Sequence, residues 1–107
     1  MNGIELLVNI ELFPENKGGK YAPVFPGTGC SLFLSDGSIW HCLQEFTDRE
    51  FAFSGESYKA KITFFDQIPP LELFYKGKDF KLLEGQLEIG SGMILETKQS
   101  SNELNTH

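Results

Sequence analysis

The sequence lacks the features that define several large classes of protein. It has only two cysteines, Cys30 and Cys42, in 107 residues, which is too few for the disulfide framework of a small secreted domain. No apolar run approaches the roughly 20 residues that a membrane-spanning helix needs. Hydrophobic residues still make up 40% of the chain, and this content excludes a mainly disordered state. We therefore expect one folded domain in the cytoplasm, with both thiols reduced.

Basic residues are also scarce. Nine Lys and Arg residues stand against 15 Asp and Glu residues, which gives a net charge of −6. Proteins that bind nucleic acids usually present a basic face, because the release of counterions from phosphates supplies much of their affinity. The charge therefore disfavours RNA as a partner, and it disfavours anionic membranes for the same reason. A basic protein partner would instead be attracted.

Candidate metal ligands and nucleophiles are few. Cys30, His41 and Cys42 are three potential ligands, but the adjacent His41 and Cys42 point to opposite faces of a strand. A tetrahedral metal site would also need a fourth ligand, and the other histidine is His107. A Cys30–His41 nucleophile pair would need a third, orienting group that the sequence does not suggest. We predict neither a metal site nor a catalytic site.

The segment NKGGKY at residues 16–21 has a superficial likeness to a phosphate-binding loop. Pro14 stands where such a loop has its first glycine, and Tyr21 stands where it has Ser or Thr. No helix is predicted after it to bind the phosphate with its N-terminus. We therefore interpret the glycines as a turn, and we predict that the protein has no cofactor and is not an enzyme.

Two-residue alternation of apolar and polar side chains dominates the chain, and no convincing amphipathic helix is found. The alternation predicts strands at residues 4–13, 30–34, 38–46, 58–65, 78–85 and 85–96. Short strands with a turn about every ten residues are typical of small barrels and sandwiches. We predict an all-β fold, a six-stranded antiparallel closed barrel over residues 1–96, followed by a polar tail at 97–107.

The predicted last strand carries a pair of glycines. We expect Leu87, Ile89, Met93 and Leu95 to share one face of this strand, with Gly90 and Gly92 on the other face. Glycines two residues apart leave space in which the side chains of another strand cross closely. This spacing therefore predicts a tight crossing within the barrel.

Four stretches together resemble a known family. They are the first strand ending at Leu12-Phe13, then GGKYAPVFPG (18–27), FSGE (53–56) and GKDFKLLEGQLEIGSGMIL (77–95). In order and spacing they resemble the C-terminal β-barrel of elongation factor Tu and related translation GTPases. The resemblance implies the barrel fold and suggests binding of transfer RNA or another structured RNA as an alternative function.

The departures from this family concern its RNA-binding residues. Thr28, Gly29 and Cys30 stand where the family has a Tyr-Arg-Pro element, and Leu83 and Leu87 replace two further arginines. These changes remove charge-assisted contacts to phosphate. A GTPase domain is also missing from these 107 residues. RNA binding would then depend on a patch formed by lysines 17, 20, 76 and 78.

Aromatic residues and two loops give the best indication of function. Seven of the ten phenylalanines together exceed what a small barrel interior holds, so we expect some of them at the surface in a protein contact; they are Phe46, Phe51, Phe53, Phe64, Phe65, Phe74 and Phe80. We expect Trp40 to lie in the core, with an exposed interface anchor as the alternative. The loops at 14–29 and 68–78 are either recognition loops or simple solvated connections. The residues predicted to contact a partner are Lys17, Lys20, Tyr21, Phe25, Trp40 and Tyr75.

These features favour a non-catalytic binding module that stands alone. We expect a protein partner, for which this chain acts as an accessory, inhibitor or immunity-type protein. The resemblance adds a link to translation as a further expectation.

Overall fold

The computed structural model describes residues 2–14, 23–24, 27, 29–64 and 70–101, which form six β-strands and one turn of 3₁₀ helix. The strands are β1 (Asn2–Leu12), β2 (Gly29–Phe33), β3 (Ile39–Phe46), β4 (Ser57–Phe64), β5 (Asp79–Glu84) and β6 (Leu87–Ser101), and the 3₁₀ turn is Leu71–Leu73. The predicted all-β class is thereby confirmed. In the described part of the chain, no helix has the length and hydrophobicity needed to cross a lipid bilayer.

The strands close into an antiparallel barrel in the order β1-β4-β3-β2-β5-β6. β2, β3 and β4 follow one another as neighbours, and β1 lies beside β4, which is a Greek-key arrangement. The turn between β2 and β3 contains Asp36 and Gly37, and Gly37 adopts a φ of 91° that favours glycine. The predicted six-stranded closed barrel is therefore confirmed.

The inner face of the barrel follows the alternation of the sequence most closely in β1 and β4. All five apolar residues that alternate along β1 are buried, and so are three of the four that alternate along β4; they are Ile4, Leu6, Val8, Ile10, Leu12, Tyr58, Ala60 and Ile62. Full burial of a medium-sized apolar side chain contributes about 1.5–3 kcal/mol. This stripe is therefore a main source of the barrel's stability.

The predicted face of β6 is wrong. Ile89 is buried, but Leu87 and Met93 are 52% and 47% exposed, and the next core residue is Ile94. The pairing shifts between Leu82 and Leu83 of β5 and between Leu7 and Val8 of β1. At each shift β6 holds one extra residue, a β-bulge, which reverses the face on which the following side chains lie.

β6 also continues beyond the boundary that the sequence predicted. Its backbone runs to Ser101 and pairs with β1 from Asn2 onward, so that residues 97–101 belong to the barrel's longest strand. Pairing with β1 compensates for the polar sequence here, which has no apolar alternation of its own. Residues 102–107 of the predicted tail lie outside the described residues.

The predicted close crossing at the two glycines is confirmed. A Cβ atom on Gly92 would overlap the Phe80 ring and lie 2.7 Å from the carbonyl oxygen of Asn9. A Cβ atom on Gly90 would lie 2.6 Å from the carbonyl oxygen of Glu11. The absence of side chains at these two positions therefore lets β6 pack directly against β1 and β5.

One end of the barrel is filled from the 3₁₀ turn. Phe74 follows this turn and is fully buried, with its ring centroid 5.3 Å from that of Phe64 and 6.0 Å from that of Trp40. The hydroxyl of Thr97 donates a hydrogen bond to the carbonyl oxygen of Phe74 (2.5 Å). This hydrogen bond holds Phe74 and the 3₁₀ turn before it against β6.

Candidate functional site

A shallow groove of about 560 Å³ lies on the outer wall of the barrel. It crosses four adjacent strands, and its outward-facing lining comprises Asn9 and Glu11 of β1, Phe33 of β2, Asp79 and Lys81 of β5, and Ser91 and Met93 of β6. Strands β1, β2, β5 and β6 supply all of these side chains.

The strand register places the groove residues in two rows. Met93 lies opposite Asn9 on one side and Asp79 on the other. Ser91 lies in the same way between Glu11 and Lys81, and Lys81 is in turn opposite Phe33. Alternation along each strand turns these residues outward because their neighbours face the core.

The apolar part of the groove consists of Phe33 and Met93, which are 37% and 47% exposed. Ile39 of β3 is opposite Phe33 in the register and is also exposed, so it extends the apolar surface beyond the groove. Aromatic residues and methionine are enriched in protein interfaces, and the flexible methionine side chain adapts to different partners. The composition of the groove therefore suits contact with another protein.

The charge of the groove is acidic. The Nζ atom of Lys81 lies 3.2 Å from Oε2 of Glu88, so these two charges balance. Among the described lining residues, the two carboxylates of Glu11 and Asp79 stand against the single lysine Lys81. Their sign agrees with the net charge of −6 of the whole chain.

Of the predicted contact residues, the structure describes Tyr75 and Trp40, and these two lie in different places. Tyr75 is 55% exposed, and the Nζ atom of Lys78 lies 5.7 Å from its ring centroid. Lys78 also donates a hydrogen bond to the hydroxyl of Ser35 (2.9 Å), which lies at the groove. Lys78 therefore connects the Tyr75 turn to the rim of the groove.

Trp40 packs against the core, as the first interpretation of this residue expected. Its indole N–H donates to the hydroxyl of Ser38 (2.9 Å), and its ring meets Phe74 edge-on. Among the described residues, Trp40 is not part of the groove lining. The other predicted contact residues, Lys17, Lys20, Tyr21 and Phe25, lie outside the described residues.

The structure separates the candidate nucleophile Cys30 from His41. Cys30 and Cys42 face each other inside the barrel with their Sγ atoms 3.2 Å apart, whereas His41 is exposed and its Nδ1 lies 2.8 Å from the hydroxyl oxygen of Ser31. Hydrogen bonding with Cys30, together with burial, raises the pKa of Cys42. Within the described ranges, no three His, Cys, Asp or Glu side chains are grouped to hold a metal ion.

Sequence reasoning missed the groove and one buried polar pair. Phe33 lies between the buried Leu32 and Leu34, so alternation alone gives its outward position. Gln44 is fully buried, and its Oε1 accepts a hydrogen bond from the hydroxyl of Tyr58 (2.6 Å). Burial raises the pKa of Tyr58.

No protein-family model matches this sequence, and a search of curated proteins gives no match. The resemblance to the elongation factor barrel stays a prediction that depends on the four stretches quoted above. The surface of the barrel is therefore the main indication of function.

Proposed function

We propose that this barrel is a non-catalytic protein-binding module. Its groove binds a partner segment in which an apolar side chain is flanked by basic residues. The observation that carries this proposal is the pairing of exposed Phe33 and Met93 with the excess negative charge of Glu11 and Asp79. The apolar side chain of such a segment would contact Phe33 and Met93, and its basic residues would lie near the two carboxylates.

The apolar residues supply the affinity. Phe33 and Met93 expose area that water covers in the unbound protein, and transfer of apolar area out of water contributes about 25 cal/mol per Å². Aromatic side chains that become fully covered at the centre of an interface often dominate its energy. Phe33 is therefore the expected anchor of the contact.

The acidic residues determine which partners the groove can bind. A basic segment is drawn to Glu11 and Asp79, whereas an acidic segment is repelled by them. An RNA backbone, which is negatively charged throughout, meets the same repulsion at this surface. The charge therefore favours a basic protein over RNA at the groove.

The framework of the groove favours binding without large rearrangement. Its side chains come from four strands of a closed barrel, which hold their backbone in place. A preorganised surface loses less conformational entropy when it binds. We propose on this basis an accessory, inhibitor or immunity-type role in the cytoplasm, and the resemblance supports a translation-linked partner.

Affinity capture with matched variants tests the proposal. The wild-type protein and a Phe33→Ala/Met93→Ala double variant are used as bait in a cell extract, together with a Leu87→Ala control. Leu87 is 52% exposed, and among the described residues it is not part of the groove lining. We expect one protein to be retained by the wild type and the control and lost from the double variant.

A second measurement locates the contact directly. The captured protein is purified and titrated into the isotope-labelled barrel, and amide chemical shifts are followed by NMR. We expect the largest shifts at Phe33, Lys81 and Met93, and weaker binding as the salt concentration rises. Shifts confined to other surfaces, equal capture by the double variant, or retention of RNA in place of protein would contradict the proposal.

A further inference from the structure

The two cysteines of the chain lie directly opposite each other on neighbouring strands. Cys30 of β2 pairs with Cys42 of β3, and their Sγ atoms are 3.2 Å apart. We infer that Cys30 and Cys42 form a redox-sensitive crosslink, which is a dithiol in reducing surroundings and a disulfide between β2 and β3 in oxidising surroundings. This inference is independent of the proposed binding function.

The backbone geometry suits the bond. Directly opposed residues of an antiparallel pair have Cα atoms about 4.5–5.5 Å apart, and this range falls within that observed for disulfides. Both side chains already point into the barrel and meet there. The sulfur atoms need to approach by only about 1 Å to reach the bonded distance of roughly 2.05 Å.

The composition of the chain makes the pairing unique. The sequence contains two cysteines, so one intramolecular disulfide is the only one it can form. Cys30 is 7% exposed and Cys42 is 0% exposed, so the barrel wall keeps both sulfurs from another copy of the chain. Oxidation of the folded protein therefore leads to the internal bond in preference to a disulfide-linked dimer.

The reaction balances with a low-molecular-weight disulfide as the oxidant. The thiolate of Cys30 attacks one sulfur of that disulfide and releases one small thiol. Cys42 then loses its proton and attacks the sulfur of Cys30, which releases the second small thiol. The protein gives up two electrons and two protons, and the small disulfide takes them up as two thiols.

The environment of the pair sets the rate of this reaction. Because the thiolate is the nucleophile, a buried thiol whose pKa is raised reacts slowly, and Cys42 has such a pKa. We expect oxidation to be slow in the closed barrel and much faster while β2 and β3 assemble during folding. Burial then protects the completed disulfide from large reductants.

The crosslink acts on stability. It closes a loop across a sequence separation of 12 residues, and such closure reduces the conformational freedom of the unfolded chain. The same loop contains Phe33 and Ile39, the apolar residues at one end of the groove surface. Oxidation would therefore hold this part of the groove more firmly in the folded arrangement.

Refolding under controlled redox conditions tests the inference. The full chain is unfolded, reduced and refolded in buffers with different ratios of oxidised to reduced glutathione, and intact mass and thermal unfolding are measured. In oxidised glutathione we expect a loss of about 2 Da, corresponding to two hydrogen atoms, a monomer, and a higher midpoint temperature that reductant reverses. In reduced glutathione we expect both thiols to react with an alkylating reagent after denaturation.

Single-cysteine variants provide the control. Cys30→Ala and Cys42→Ala leave one thiol each, so they cannot form the bond, and we expect a mixed disulfide with glutathione instead of the mass loss. Should either variant fail to fold, alkylation of the wild type after denaturation still counts its remaining thiols. Two alkylatable thiols after refolding in excess oxidised glutathione, a disulfide-linked dimer, or an unchanged or lower midpoint temperature would overturn the inference.

Discussion

Two depressions on the outer wall of the barrel differ in how their charges are arranged. The smaller one, of about 180 Å³, is lined by Glu5, Lys61, Glu96 and Lys98, two acids and two bases. There the Nζ atom of Lys61 lies 3.5 Å from Glu5 and 3.2 Å from Glu45. The larger groove combines exposed Phe33 and Met93 with an excess of carboxylates. The lining of the smaller depression has as many lysines as carboxylates, whereas that of the groove has two carboxylates and one lysine. Under the proposed function, a basic partner neutralises this excess of negative charge.

The largest expected effect is a loss of folding stability at Gly92, which lies on the inner side of the groove. Gly92→Ala forces a methyl group against the Phe80 ring and the backbone of Asn9, and such overpacking costs about 1–3 kcal/mol. Gly29→Ala is the matched control, since a Cβ atom there meets nothing within 4 Å. Urea unfolding measures the difference, and equal stabilities of the two variants would contradict the tight crossing.

The next effect concerns the apolar anchor. Phe33→Ala should weaken binding of the captured partner by about tenfold or more, because truncating a central aromatic residue often costs over 1 kcal/mol. Phe51→Ala is the control, since Phe51 is 41% exposed and, in the described part of the chain, not part of the groove lining. Isothermal titration calorimetry gives both affinities. A greater loss for Phe51→Ala would place the contact elsewhere.

A smaller effect is expected from the acidic side chains. Glu11→Gln with Asp79→Asn should slow association several-fold at low salt while changing dissociation less, because charges at the rim mainly steer the encounter. Glu72→Gln removes an exposed carboxylate from the 3₁₀ turn and serves as the control. Stopped-flow kinetics at two salt concentrations measure these rates. An unchanged salt dependence in the double variant would show that Glu11 and Asp79 do not attract the partner.

The smallest effect is expected in the balanced depression. Hydrogen bonding to Glu45, with the nearby charge of Glu5, raises the pKa of Lys61 above its ordinary value of 10.5. The stabilisation is therefore complete below pH 10.5 and is lost as the pH rises through the higher folded-state value. Lys61 is solvent-exposed, so Lys61→Met should change thermal stability at pH 7 very little. A loss as large as that of Gly92→Ala would mean that this ion-pair cluster is a major support of the fold.

The sequence predicts the barrel well where strands are regular and poorly where their pairing is not. In β1, every apolar residue at the alternating positions from Ile4 to Leu12 is buried, as the alternation of the sequence indicates. In β6, the bulges opposite Leu7/Val8 and Leu82/Leu83 depend on how three strands fit together in a closed ring. No local pattern contains that information, so the exposure of Met93 could not be predicted.

The closeness of the two cysteines was beyond sequence reasoning for a related reason. Asp36-Gly37 is a typical turn dipeptide, and Cys30 and Cys42 are spaced equally on either side of Asp36. Which residues then face each other depends on the length of the turn, and a shift of one residue would separate the sulfurs. The Leu34 N–H donates to the carbonyl oxygen of Ser38 and the Gly37 N–H donates to that of Leu34, and these two hydrogen bonds settle the length of the turn.

The pairing of β1 with β6 has a consequence for the way in which the protein reaches its native state. These two strands are far apart in the chain, yet they are hydrogen-bonded neighbours in the barrel wall. Until β6 has been synthesised, the apolar stripe of β1 lacks one of its two flanking strands. Folding then depends on contacts between distant segments, which are slow to form. A nascent chain that stalls before β6 would therefore expose apolar side chains of β1 that favour aggregation. A chaperone would be of most use at this stage of synthesis.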